Sequence, residues 1–220
     1  MGSENLFHKK RERTANDLKR QKETRVAQPK ILIVCEDSKS GAFYLEDLVK
    51  DLDLSGVRVR GKECGSAPTS VVNYAIVEYE KSKVSGDSYD RVYCVFDRDQ
   101  HHSFDAALQK IANKKPKNKF FAITTTPCFE FWLLLHFSQN FKPYHTTQNK
   151  SPCDNANSDL KVHWADYGKS KRGIYAFVKD KIDHAMVNAK QLVSDGLQTG
   201  STNPQTNMHE LIEYLQSIKR

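Results

Sequence analysis

Residues 91–104 read RVYCVFDRDQHHSF, an apolar run from Val92 to Phe96 that ends in Asp97 and Asp99. Carboxylates two residues apart project to the same side wherever extended backbone persists. An earlier apolar run, Ile31-Leu32-Ile33-Val34-Cys35, ends in Glu36. Parallel α/β sheets bind ligands beyond the carboxyl ends of their strands. If the two runs are neighbouring strands, Glu36, Asp97 and Asp99 converge at one edge. Carboxylates held close repel, and ionising all of them is costly unless a cation is present. Hard ions such as Mg²⁺ take oxygen ligands and can polarise a phosphate and stabilise its leaving oxygen. These residue types point to Mg²⁺, with Mn²⁺ as a substitute, at Glu36, Asp97 and Asp99. The competing structural role is for Asp97 or Asp99 to cap a helix starting near Ser103.

Further residues suit the same edge. Glu130 lies within PCFEFWLLLHF, so apolar a segment that its charge needs a cation, a basic partner or solvent. We place it with the metal ligands; the alternative is an exposed first-turn glutamate favoured by the helix dipole. His101 follows the aspartates and suits proton transfer or phosphate contact. His136, near the far end of the Glu130 helix, reads as structural. Lys39 sits in the loop after Glu36, near a helix start, where phosphate is favoured. Lys169, Lys171 and Arg172 form a basic cluster beside Tyr167, and KKPKNK at 114–119 forms another. Either suits a nucleic-acid backbone, and a solvated face is the plainer account of both.

Several elements must position these groups. Apolar or alternating runs predict strands at 30–35, 57–60, 91–97 and 119–124, the second nearer a sheet edge. Helical spacing predicts helices over 41–52, 66–83 with Pro68 in the first turn, 101–113 and 127–137. The alternation predicts an α/β domain with a mostly parallel central sheet flanked by helices. Residues 138–168 read as polar and irregular, with NKSPCDNANSD as a mobile loop. Helices follow around 169–183, 184–195 and 205–219, the last capped by Thr206 or Asn207, and this C-terminal part is expected to pack on the sheet. The expected organisation is a basic arm over 1–28 and a single domain over 29–220, with a helical elaboration from about 138.

The chain has 220 residues, a net charge of +7 and 38% hydrophobic residues. The first 30 residues hold nine Lys or Arg against four Asp or Glu, so much of the basicity belongs to the arm, which suits phosphate contact without sequence reading. No apolar run approaches the ~20 residues of a membrane helix. Five scattered cysteines, odd in number and never spaced CxxC, predict a reducing cytoplasm without a disulfide frame or zinc ribbon. The motifs of P-loop ATPases, dinucleotide-binding folds and α/β-hydrolases are absent.

ILIVCEDSKSGAFY, FDRDQHHSF, PCFEFWLLLHF and NPQTNMHEL, in that order, resemble the motifs of the RloB-like family over most of residues 29–220. A glutamate after the first strand and a DxD after a later one also resemble the Toprim module of topoisomerases, primases and OLD-type nucleases. Asp37 departs from the pattern, standing where glycine is usual. The resemblance implies a Toprim-like fold and an Mg²⁺-dependent nuclease acting on DNA or RNA, with His101 at the histidine of DRDxH. It also implies a bacterial restriction or antiphage setting with an ATPase partner; a homo-oligomer is compatible with it. The alternatives are a non-catalytic sensor or adaptor for such an ATPase and, more weakly, nucleotidyl transfer.

Overall fold

A computed structural model describes residues 28–61, 64–65, 67–98, 102–139 and 141–218. The basic arm, apart from its last residue, lies outside the described residues, as do Asp99 and His101.

The element order is β1 (Ile31–Cys35), α1 (Ser40–Asp51), β2 (Val57–Arg60), α2 (Pro68–Val84), β3 (Arg91–Asp97), α3 (Phe104–Asn113), β4 (Phe120–Thr126), α4 (Phe129–Leu134), α5 (Pro152–His163), α6 (Ile174–Val178), a 3₁₀ turn (Lys179–Lys181), α7 (Ile182–Thr199), β5 (Gln205–Thr206) and α8 (Met208–Ile218). The sheet order is β2-β1-β3-β4-β5. The first three pairings are parallel, and β5 runs antiparallel to β4. The α/β class and mostly parallel sheet expected from the alternation are what the chain forms.

The continuous apolar strands are explained by two cores, one on each face. Ile31, Ile33 and Cys35 of β1, with Tyr93 and Val95 of β3, join a core with α1, α4, α5, α7 and α8. Leu32 and Val34, with Val92, Cys94 and Phe96, join a second core with α2 and α3. Alternate side chains feed opposite layers, so neither strand carries a charged residue between its two ends.

Four expectations need correction. Residues 152–163 of the supposed mobile loop form α5. Ser151 and Asp154 make a capping box, Pro152 occupies the first turn, and Cys153, Ala156 and Leu160 are buried. The 127–137 helix is shorter, since regular α-helix covers only Phe129–Leu134. The last helix starts at Met208, because Gln205 and Thr206 pair with β4 instead. Thr206 Oγ1 accepts from the Met208 amide as a cap would, while the Asn207 side chain accepts from the Thr124 amide and donates to the Ala122 carbonyl. Finally, Cys128 and Cys153 form a disulfide, against the expectation of none. The apolar burial of α4 and α5 brings their N-termini together, and sequence spacing gave no sign of it. Cys35, Cys64 and Cys94 remain free and buried.

Candidate active site

β1 and β3 lie side by side in parallel, with Cys35 opposite Val95. The ladder continues past β1, where the Glu36 amide donates to the Val95 carbonyl at 2.9 Å. Past β3 the Arg98 amide donates to the Thr125 carbonyl at 2.8 Å. Backbone bonding therefore fixes both strand ends. Glu36 Oε2 accepts the Asp97 amide hydrogen at 2.9 Å, so the two acidic residues named from sequence meet at the carboxyl edge.

The Asp97 side chain has a second task. Its Oδ2 accepts the Phe129 amide hydrogen at 3.1 Å. Cys128, at the N-cap of α4, offers no side-chain cap, so β3 supplies the acceptor for an orphan amide of that helix. Sequence offered Asp97 or Asp99 as a cap for the helix near Ser103. The described carboxylate, Asp97, caps α4 instead.

Glu130, in the first turn of α4, is buried at 2% exposure. The exposed alternative is therefore wrong. The Tyr167 hydroxyl donates to its Oε1 at 2.9 Å, and Lys169 Nζ lies 3.6 Å from its Oε2. Cys153 Sγ approaches Oε2 at 3.6 Å. A sulfur in a disulfide has no proton to donate, so this is a packing contact, and the joined sulfurs of Cys128 and Cys153 are not thiolate metal ligands. Ser40 Oγ lies 3.0 Å from the Tyr167 hydroxyl and 3.0 Å from the Lys169 carbonyl, tying the start of α1 to the same cluster.

The electrostatics follow from this crowding. Burial pushes the Asp97 carboxyl well above the usual carboxylate range, and the charges of Glu130 and then Glu36 push it further the same way. The Phe129 amide works against them. Burial and the Glu130 charge also raise the Tyr167 phenol well above its ordinary value, so it serves as a neutral donor. Carboxylate oxygens are hard donors that suit a dication, and a cation near Asp97 would remove the penalty on its charge. The residues present fit such an ion.

The basic residues divide. Lys169 belongs to the Glu130 cluster. Lys39 is exposed at the start of α1 and lines a cleft with Arg60 and Arg172. Lys171 donates to the Asp166 carbonyl at 3.3 Å and lies over the Trp164 ring. Asp37 is exposed, and its Oδ1 accepts the Lys39 amide hydrogen at 3.3 Å. It does not adopt positive φ, so the turn has no need of the glycine usual there. His136 is buried against the Trp132 carbonyl, and burial pushes it down to about 4, in keeping with a structural role.

Sequence reading missed Ser40 and Arg60, and it saw Tyr167 only as a neighbour of basic residues. The nearest signal was Glu130 itself, since a buried carboxylate must have donors somewhere in the chain.

A family model described as RloB-like protein matches residues 31–215, from β1 into α8. The chain belongs to the RloB-like family. Within this RloB-like chain the match takes in Glu36, Asp97 and Glu130 together with the strands and helices that hold them. No curated protein and no solved structure matches it. Among the described residues, no helix is long and apolar enough to cross a membrane.

Proposed function

We propose that this RloB-like protein is a divalent-metal-dependent nuclease whose site lies at the carboxyl edge of β1 and β3. The observation that carries the reading is the bond from the Asp97 amide to the Glu36 carboxylate, in a setting that strongly disfavours the Asp97 charge without a cation. The motif likeness to Toprim nucleases supports the same reading. Glu36 and Asp97 would hold Mg²⁺ or Mn²⁺, with Asp99 and Glu130 completing the acidic set. When bound, the ion would supply charge stabilisation to a phosphate and its leaving oxygen.

The chain's own groups have separable tasks. Asp97 keeps Oδ2 on the Phe129 amide, which leaves Oδ1 for a ligand. Glu36 is oriented by the Asp97 amide and is placed to act as ligand or proton acceptor for the attacking water. Tyr167 and Lys169 hold Glu130 fixed, so its charge bears on Asp97 from a constant position. His101 is proposed as a phosphate or proton-transfer group. A bacterial antiphage setting, a cytoplasmic location and an ATPase partner belong to the proposal through the family likeness.

A second reading, a non-catalytic adaptor for an ATPase, is favoured by one observation: Glu36 and Asp97 each already satisfy a backbone amide. Incubating the protein with DNA and with RNA, each with Mg²⁺, Mn²⁺ or EDTA and with or without a neighbouring ATPase, separates the two. Strand loss that needs the ion and disappears in Asp97→Asn supports the nuclease. Intact substrate in every arm, with undiminished biological activity of Asp97→Asn, supports the adaptor.

A further inference from the structure

We propose that the cleft between α1 and the end of β2 is a subsite for the nucleotide flanking the reacting phosphate, with Lys39 and Arg60 holding its phosphate and Arg172 offering a flat face to its base. This deepens the nuclease reading and rests on it for what happens next door.

The cleft measures about 420 Å³ and includes Lys39, Phe43, Arg60 and Arg172 in its lining, within the size range of small-molecule sites. It is built by backbone constraints. Arg60 pairs in register with Val34, two residues before Glu36. The next residue, Gly61, is pressed so tightly on the loop after Glu36 that an added Cβ would lie 2.4 Å from the Asp37 carbonyl oxygen. The end of β2 and the loop carrying Lys39 are thereby held against each other. Among the described residues, neither the Lys39 ammonium nor the Arg60 guanidinium has a protein acceptor. Two such cations beside an acidic edge suit a phosphate that continues outward from a metal-bound one.

Arg172 differs from both. It pairs with Glu46 at 3.1 Å, and its guanidinium lies 3.5 Å from the Phe43 ring centroid. The ring and the ion pair fix the guanidinium plane while the side chain stays 67% exposed. A guanidinium plane is a stacking surface for an unpaired base, and this selects a single strand over a duplex.

The test is equilibrium binding of a fluorescent 5′-phosphorylated tetranucleotide, in DNA and RNA arms, to the full chain in EDTA, where metal-dependent cleavage is off. Lys39→Gln with Arg60→Gln should weaken binding about tenfold and flatten the log–log salt slope by about 0.7, the value for one phosphate neutralised on a single strand. Arg172→Lys keeps the charge but loses the planar face; it should weaken binding about fivefold and leave the slope unchanged. Lys110→Gln, on α3 across the sheet, should change neither. Inorganic phosphate should compete with wild type more effectively than with the double variant. All these variants should melt with wild type. Failure of wild type to bind, or binding by the double variant and Arg172→Lys equal to wild type, overturns the subsite. Binding as expected without cleavage in Mg²⁺ or Mn²⁺ ends the nuclease reading and leaves the subsite standing.

Discussion

The Glu36 carboxylate and the Asp97 amide are bonded at 2.9 Å, so a side chain that ends β1 is oriented by the backbone that ends β3. The acidic edge is therefore part of the sheet's own hydrogen bonding.

Asp97 should make the metal-free protein less stable at neutral pH. Its folded pKa is raised above the unfolded value, chiefly by burial and then by Glu130 and Glu36. A raised carboxyl binds its proton more tightly when folded, so this group's penalty is full above the folded pKa. It is relieved as pH falls and is gone only below the unfolded value near ~4. Asp97→Asn removes the charge and keeps an oxygen for the Phe129 amide. In EDTA at pH 7 it should melt about 3 °C higher than wild type, roughly 1 kcal/mol in a chain of this size, and the gap should close toward pH 4. Mg²⁺ should raise the melting temperature of wild type more than that of the variant. A variant that melts lower at every pH would sink this account.

Glu36→Gln separates shape from charge. The amide oxygen can still accept from the Asp97 amide, and one of the charges that raise Asp97 is gone, so melting in EDTA should be no lower than that of wild type. Metal-dependent cleavage should fall at least about 100-fold, the scale of a lost ligand or proton acceptor. Glu36→Ala should lose the same activity and also melt lower. Equal cleavage by Glu36→Gln and wild type would remove Glu36 from the chemistry.

Tyr167→Phe leaves the buried Glu130 carboxylate without its hydroxyl donor, which urea denaturation should read as a loss of about 2 kcal/mol. In a Glu130→Gln background the same change should cost less, because the charge that needed the donor is gone. Equal costs in the two backgrounds would show that the hydroxyl does not serve Glu130.

The Cys128–Cys153 bond joins residues 25 positions apart. Loop-closure entropy assigns such a bond about 3.5 kcal/mol. Cys153→Ser, or reduction of wild type, should lower the urea midpoint accordingly. Alkylation of the native oxidised protein followed by mass spectrometry should leave all five cysteines unmodified, two by bonding and three by burial. A reductant that leaves the midpoint unchanged would contradict the bond.

The sequence made the sheet easy to read because β1 and β3 are apolar on both faces, and only a strand between two layers demands that. Glu36 and Asp97 were legible for the same reason, as the first charges after such runs. Glu130 stood out by its apolar surroundings. What could not be seen were relations across the chain. Tyr167 reaches Glu130 over 37 residues, and Asp97 caps a helix that starts 32 residues later. Helix α5 is hard to read from sequence because its surface is polar and only Cys153, Ala156 and Leu160 are buried. The sign that was present, Ser151 three residues before Asp154, is short and carries only an aspartate at the end of its capping box. β5 is two residues long and offers no periodicity to find.

The two margins of the sheet are unlike. β5 closes one by running antiparallel along β4. The other is β2, four residues long, whose Val57 and Val59 turn inward while Arg58 and Arg60 alternate with them. A short margin studded with like charges repels a second copy that would add a strand there. The protein's resistance to edge-to-edge strand addition should thus rest on Arg58 together with Arg60, and Arg58→Val would weaken it.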